Sequence, residues 1–298
     1  MSVSGDRFSA TFSRTHGTLA SLQYGDREIL NQAETTITGP RLQAYRAPTD
    51  NDKGFGRWLA RDWTKAGLAT LTHSVESFDV TELPDGTLSL KVAMTATTES
   101  GGVITHHARW RVRGDGSVEI DNEFRVSNDL PALPRIGLVT SIDPSFNHLR
   151  WYGHGPHENY ADRKLSADVG LWSATVSDQY VPYPKPQDCG NKEGVQWMTL
   201  TDDGGTGVLV VAEEDPIAAS ALHFTAADLA QVKHAHDLRP RPEVVLSLDA
   251  RQSGLGNSSC GPGVLERYAI PPGTYRLRIS LRPCHGGSDE EVASAARL

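Results

Sequence analysis

Apolar and polar residues alternate with a period of two over much of this chain. The pattern is clear in "TLSLKVAMTAT" (87–97), "HHARWRVR" (106–113), "SVEIDNEFRVS" (117–127) and "RLRISLRP" (276–283). A strand points successive side chains to opposite faces, so this pattern predicts antiparallel strands with one face on a core and one in solvent. "GVLVVA" (207–212) and "EVVLSLDA" (243–250) are apolar at nearly every position and predict strands buried on both faces.

Turn residues separate these runs: "PDG" at 84–86, "GDG" at 114–116, "DDGG" at 202–205 and "PPG" at 271–273. "RVRGDGSVEI" predicts a β-hairpin, because its turn glycines lie between two alternating runs. A helical period is clear in Gly56–Leu71, where Trp58, Leu59, Asp62, Trp63 and Ala66 fall at three- and four-residue steps and Gly67 offers a stop. The end, "SDEEVASAARL", carries a capping-box pattern from Ser288 to Glu291 and predicts a short helix or a frayed tail. The fold class is therefore all-β, one large antiparallel sandwich over residues 1–285 with a tail over 286–298. A single clear helix excludes a (β/α)₈ barrel.

Composition narrows the function classes. Of 298 residues, 29 are Lys or Arg and 37 are Asp or Glu, a net charge of −8 that argues against nucleic acid as a partner. No apolar run reaches the roughly 18 residues of a membrane span, so no membrane partner is expected. Cys189, Cys260 and Cys284 are widely spaced and odd in number, and the N-terminus has no apolar signal core. Both features fit a cytoplasmic protein without disulfides or a cysteine metal site. GxGxxG, Walker, HExxH and GxSxG motifs are absent.

Three stretches hold candidate chemistry. "YRAPTDNDKGFG" (45–56) places Asp50, Asn51 and Asp52 on a short turn. They can accept sugar hydroxyls, bind a cation, or simply cap local backbone. "WYGHGPHENYADR" (151–163) contains His154, His157, Glu158, Asn159, Asp162 and Arg163. Glu158, Asp162 and Arg163 read as a buried ion pair at a structural corner. The competing reading makes His154 or His157 a proton shuttle beside Glu158, although neighbours on a strand face opposite ways. "GLGNSSCGPG" (254–263) is a glycine-rich loop that suits close approach of a ligand or partner. Trp58, Trp63, Trp110, Trp151, Trp172 and Trp197 serve core packing or, for one or two of them, a sugar platform.

Taken in order, these stretches resemble the C-terminal domain of family 2 β-galactosidases. "YRAPTDND" is similar to its RAPxDND signature and "WYGHGPHENYADR" to its W-x-G-x-GPxENYxDR signature. "SDQYVPYPKPQDCGN" is similar to Y-x-x-Y-x-x-P-Q-E-x-G-N, with Asp188 where the family has Glu. Trp63, Ala66 and Gly67 match W-x-x-A-G, and the likeness runs from about Phe8 to Cys284.

The resemblance implies a galactose mutarotase-like supersandwich that works as the last domain, or a separate small subunit, of a β-galactosidase. Its partner is then a TIM-barrel domain or large subunit, and its substrates are galactosides. Retaining hydrolysis needs two carboxylates about 5–5.5 Å apart. The family holds both in the barrel, together with magnesium and sodium, so no catalytic residue, metal or cofactor is expected in this chain. The late loop, Asn257, Ser258, Ser259 and Cys260, is expected to line the assembled active site. Cys260 stands nearest the place where some relatives carry a tryptophan. Arg46, Asp50, Asn51, Asp52, His154, His157, Glu158, Asn159, Asp162 and Arg163 are expected to form a structural or docking network. The alternatives are a stand-alone carbohydrate-binding module and an aldose 1-epimerase-like enzyme using His154, His157 and Glu158.

Overall fold

The computed structural model of this chain describes residues 1–33, 39–54 and 59–297. The chain begins with β1 (Ser2–Gly5), β2 (Phe8–Ser13), β3 (Thr18–Tyr24) and β4 (Arg27–Glu28). Next come β5 (Arg41–Gln43), α1 (Asp50–Lys53) and α2 (Leu59–Ala66). A meander follows: β6 (Thr72–Glu82), β7 (Leu88–Thr97), β8 (Val103–Val112) and β9 (Val118–Val126). The second half holds β10 (Arg135–Ile142), β11 (His148–Gly155), β12 (Asp168–Thr175), β13 (Lys192–Val195), β14 (Trp197–Thr201), β15 (Thr206–Ala212) and β16 (Ile217–Leu222). It ends with α3 (Ala226–Gln231), β17 (Val244–Gln252), β18 (Thr274–His285) and α4 (Asp289–Arg297).

Among the described residues the strands form three sheets, antiparallel throughout. One has the order β1-β2-β3-β4, one β13-β16-β17-β10-β5, and the largest β12-β11-β14-β15-β18-β9-β8-β7-β6. This is the mostly antiparallel architecture that the alternation predicts. One apolar core takes side chains from all three sheets, including Phe12, Leu22, Trp110, Phe124, Leu246 and Leu248. Burying each such large side chain contributes roughly 1.5–3 kcal/mol.

The period of two becomes packing directly. On β8 the residues Ile104, His106, Ala108, Trp110 and Val112 point inward, and their neighbours are less buried. The predicted hairpin joins β8 to β9, with Val112 opposite Val118 and Gly116 at φ +87° in the turn. α2 stops at Gly67, which adopts φ +72°; Gly67 N donates to Thr64 O at 3.1 Å and Leu68 N to Trp63 O at 3.1 Å. Gly56, Arg57 and Trp58, included in the predicted helix, lie outside the described residues. The C-terminal segment forms α4, capped by the Ser288–Glu291 pair and seated through Val292 against Trp197, Leu209, Val211 and Cys284.

The inward row of β8 and β9 includes a polar pair. His106 Nε2 lies 2.8 Å from Asn122 Oδ1, and Asn122 Nδ2 donates to Leu277 O at 2.9 Å. Burial pushes the His106 imidazole down to about 4. The unfolded chain therefore binds more protons than the fold between pH 4 and 6.5. The His106 contribution is complete above pH 6.5 and is lost as pH falls toward 4, roughly 3 kcal/mol over the full swing. Glu193 acts in the opposite sense, because burial raises its carboxyl to about 7 and the fold retains that proton as pH falls. The difference in unfolding free energy between the wild type and His106→Gln isolates the histidine. Urea titrations at pH 7 and pH 5 should show that difference falling on acidification, and a constant difference would refute the assignment.

Candidate functional site

The site is built on a buried ion pair. Thr49 caps α1, and its hydroxyl accepts from Asp52 N while Asp52 accepts from Thr49 N at 2.9 Å. This capping box fixes the Asp52 carboxylate, which takes Arg46 Nη2 at 2.7 Å and Arg46 Nε at 3.1 Å. Both side chains are fully buried. The remaining Arg46 donors reach Ser253 O at 2.7 Å and Gly254 O at 3.2 Å, just beyond β17. The guanidinium carbon lies 5.6 Å from the centroid of the Trp63 ring. Pair, carbonyls and ring together satisfy a charge that would be costly to bury alone.

Around this pair the late loop is tied down by the side chains of Asn51, Asp162 and Arg163. Asn51 Nδ2 donates to Gly256 O at 2.8 Å, and Asn51 Oδ1 accepts from Ser259 Oγ at 2.6 Å. Asp162 accepts from Leu255 N at 2.9 Å and Gly256 N at 2.8 Å. Arg163 donates to Gly256 O and, at 2.8 Å, to Asn257 Oδ1. Gly54 packs so closely on the loop that an added Cβ would lie 2.1 Å from Ser258 O. Ser258 is buried, whereas Cys260 is exposed.

The third stretch forms the corner. Glu158 accepts from the Tyr183 hydroxyl and from Gly190 N at 2.7 Å. Buried Asn159 accepts from Glu193 N at 2.8 Å and donates from its amide to His157 O at 3.1 Å. His154 Nδ1 donates to Ala167 O at 2.7 Å, and exposed His157 lies 3.2 Å from Ser166 Oγ. The expected ion pair among Glu158, Asp162 and Arg163 is not formed. Each charge instead meets backbone groups or a neutral side chain of another segment. The His–Glu proton shuttle is likewise not assembled: the partners of His154 and His157 are Ala167 and Ser166, and those of Glu158 are Tyr183 and Gly190.

A polar cavity of about 280 Å³ opens where these stretches meet, lined by Asp50, Asn51, Glu158, Arg163, Tyr183 and Gln187 among others. Gln187 Oε1 accepts from Asp50 N at 2.8 Å. Asp188 closes the base, accepting from Tyr160 at 3.0 Å and Gln252 Nε2 at 2.9 Å. Burial raises the Asp188 carboxyl against the pull of Arg135 and Arg46. Burial and the neighbouring Glu158 raise the Tyr183 hydroxyl, so it remains a donor at neutral pH. A second buried pair, Arg135 with Asp249 at 2.5 Å, stands behind Asp188.

Tyr183, Gln187 and Asp188 belong to a stretch matched by resemblance but not assigned a role from sequence. Arg135, Asp249 and Gln252 gave no signal at all. Glu158 and Asp188 both accept hydrogen bonds from donors of the fold, which suits holding a shape better than moving protons. Among the described residues no cluster of three or more His, Cys, Asp or Glu side chains is placed to hold a metal. Trp63, Trp110, Trp151 and Trp197 are buried, so none of these four is a sugar platform. Trp172 is partly buried and donates to Gly153 O at 3.2 Å, and Trp58 lies outside the described residues.

The family model described as "Beta galactosidase small chain" matches residues 4–281. A β-galactosidase of Arthrobacter sp. (strain B7) is 32% identical over 278 residues, covering 85% of this chain and 27% of that protein. The β-galactosidase BgaC of Bifidobacterium adolescentis is 33% identical over 276 residues, covering 90% and 25%. The chain thus spans about a quarter of the length of these curated relatives. Among solved structures, galactose 1-epimerase from Lactobacillus acidophilus NCFM superposes with a TM-score of 0.50 at 8% identity, covering 96% of this chain and 94% of that one. That likeness shows the galactose mutarotase-like fold and nothing of the chemistry. With the signature stretches drawn together on one loop and the match running over nearly the whole length, the chain belongs to the β-galactosidase small-chain family.

Proposed function

We propose that this chain is the accessory part of a cytoplasmic β-galactosidase. It docks on a TIM-barrel catalytic domain or large subunit and presents the segment Asn257–Cys260 at the barrel mouth, with Asn257 and Cys260 facing out, Ser259 half-buried and buried Ser258 anchoring it. The observation that carries this reading is the convergence of Asn51, Gly54, Asp162 and Arg163 on that one loop. A loop fixed by so many backbone contacts is preorganised to meet a surface or a sugar without further ordering. The chemistry then belongs to the partner, whose barrel supplies both glutamates and the magnesium and sodium. This chain positions and encloses the galactoside.

Three free cysteines support a reducing compartment. No helix among the described residues is long and apolar enough to cross a membrane. Cys260 supplies the test, because Cys189 and Cys284 are buried. Iodoacetamide should alkylate Cys260 in the isolated chain, and the rate should fall about tenfold when the catalytic part of a β-galactosidase of this family is bound. An unchanged rate in a demonstrated complex would move the loop away from the interface.

A further inference from the structure

A larger cleft, about 500 Å³, lies over the five-stranded sheet, and Asp188, held by Tyr160 and Gln252, lines both it and the polar cavity. A row of side chains crosses its floor. Arg41 on β5 is opposite Val139 on β10, Val139 is opposite Ser247 on β17, and Ser247 is opposite Ser220 on β16. Residues directly opposite across antiparallel strands share a face, and all four line the cleft. In the next row along, Gln43 reaches Asp249 at 3.0 Å across Gly137, and Arg135 holds the same carboxylate. The charges of that row neutralise one another.

Arg41 differs from them. It is half-buried and, among the described residues, has neither an ion pair nor a side-chain hydrogen bond. Its neighbour in the lining, His73, is pushed down to about 4 by burial and by Arg41 itself, and is neutral at pH 7. Leu71 and Phe224 give the cleft apolar walls, and Tyr45 adds a hydroxyl. A concave site of this size, with apolar walls, a few hydroxyls and one guanidinium that has no counter-charge among the described residues, has the make-up of a small-ligand pocket. A guanidinium binds a carboxylate or a phosphate in a two-pronged fashion.

We propose that this cleft is a second binding site, for a small polyol carrying one carboxylate or phosphate. The anion meets Arg41, and the hydroxyls meet Ser220 and Ser247. The inference does not rest on the catalytic-partner reading.

Calorimetric titration of the full chain with galacturonate, galactose 6-phosphate, inorganic phosphate and galactose tests it. The His73 ring resonances, followed by NMR, report occupancy. One or both sugar acids should saturate a single site and shift the His73 signals, and which one does so identifies the anion. Arg41→Gln should weaken that binding about tenfold or more. Should that variant fail to fold, the double variant Ser220→Ala, Ser247→Ala takes its place with a loss in the same direction. Absence of saturation, inorganic phosphate binding as tightly as the sugar acids, or affinity untouched by these substitutions would each overturn the site.

Discussion

Replacing Asp52 with alanine should lower the unfolding free energy by about 3–5 kcal/mol, the expected cost of leaving a buried guanidinium without its carboxylate. Arg46 and Asp52 are both fully buried, and their two contacts are 2.7 and 3.1 Å long. The same substitution removes the acceptor that fixes Thr49 N at the start of α1. It also loosens Asn51, the neighbour that grips Ser259. The double variant Arg46→Met, Asp52→Leu should lose less than Asp52→Ala alone, because no orphaned charge remains. Urea unfolding followed by circular dichroism measures both. A loss below about 1 kcal/mol for Asp52→Ala would mean that solvent or another group rescues Arg46.

Gly54→Ala should act on the late loop rather than on the core. The added carbon would lie 2.1 Å from Ser258 O and 2.5 Å from Ser258 C, and backbone atoms cannot yield as a flexible side chain can. Shifting a packed segment to admit one methyl costs about 1–3 kcal/mol. The larger effect belongs to the assembled enzyme. With the loop at a partner's barrel mouth, as proposed, a displacement of about an ångström should lower galactoside turnover by roughly ten- to a hundredfold. The comparison is kcat/KM of enzyme assembled with wild-type or G54A chain. Equal values would take the Asn257–Cys260 segment out of the active site.

The strands most legible in the sequence are those half-exposed to solvent. β7, β8, β9 and β18 each alternate because one face meets the core and the other meets water. β10 is buried at every residue, yet its sequence RIGLVTSI mixes Arg, Gly, Thr and Ser with aliphatics and shows no period. β16 is IAASAL, whose alanines have little preference for strands and take their conformation from the sheet around them. α1 and α3 have four and six residues, too few for a helical period, and each is fixed by a capping box at Thr49 or Thr225.

The site divides in the same way. Arg46 and Asp52 lie six residues apart within one motif, so their pairing is within reach of local reading. Arg135 and Asp249 are 114 residues apart, and only the antiparallel pairing of β10 with β17 brings them together. The acidic and basic residues of "GPHENYADR" suggest mutual ion pairs by proximity. In the fold they turn to other segments: Glu158 to Gly190 N and the Tyr183 hydroxyl, and Asp162 and Arg163 to the late loop. Composition cannot foresee that outcome, because buried carboxylates accept backbone N–H groups as readily as charged side chains.

Partner-dependent turnover is most directly tested by complementation. The purified chain, incubated alone with o-nitrophenyl β-galactoside, should release no nitrophenol above the buffer rate. Mixed with the catalytic part of a family β-galactosidase lacking this domain, it should restore hydrolysis that neither component shows alone. Turnover by the isolated chain that disappears in Glu158→Gln, or a stable but inactive complex of the two parts, would contradict this.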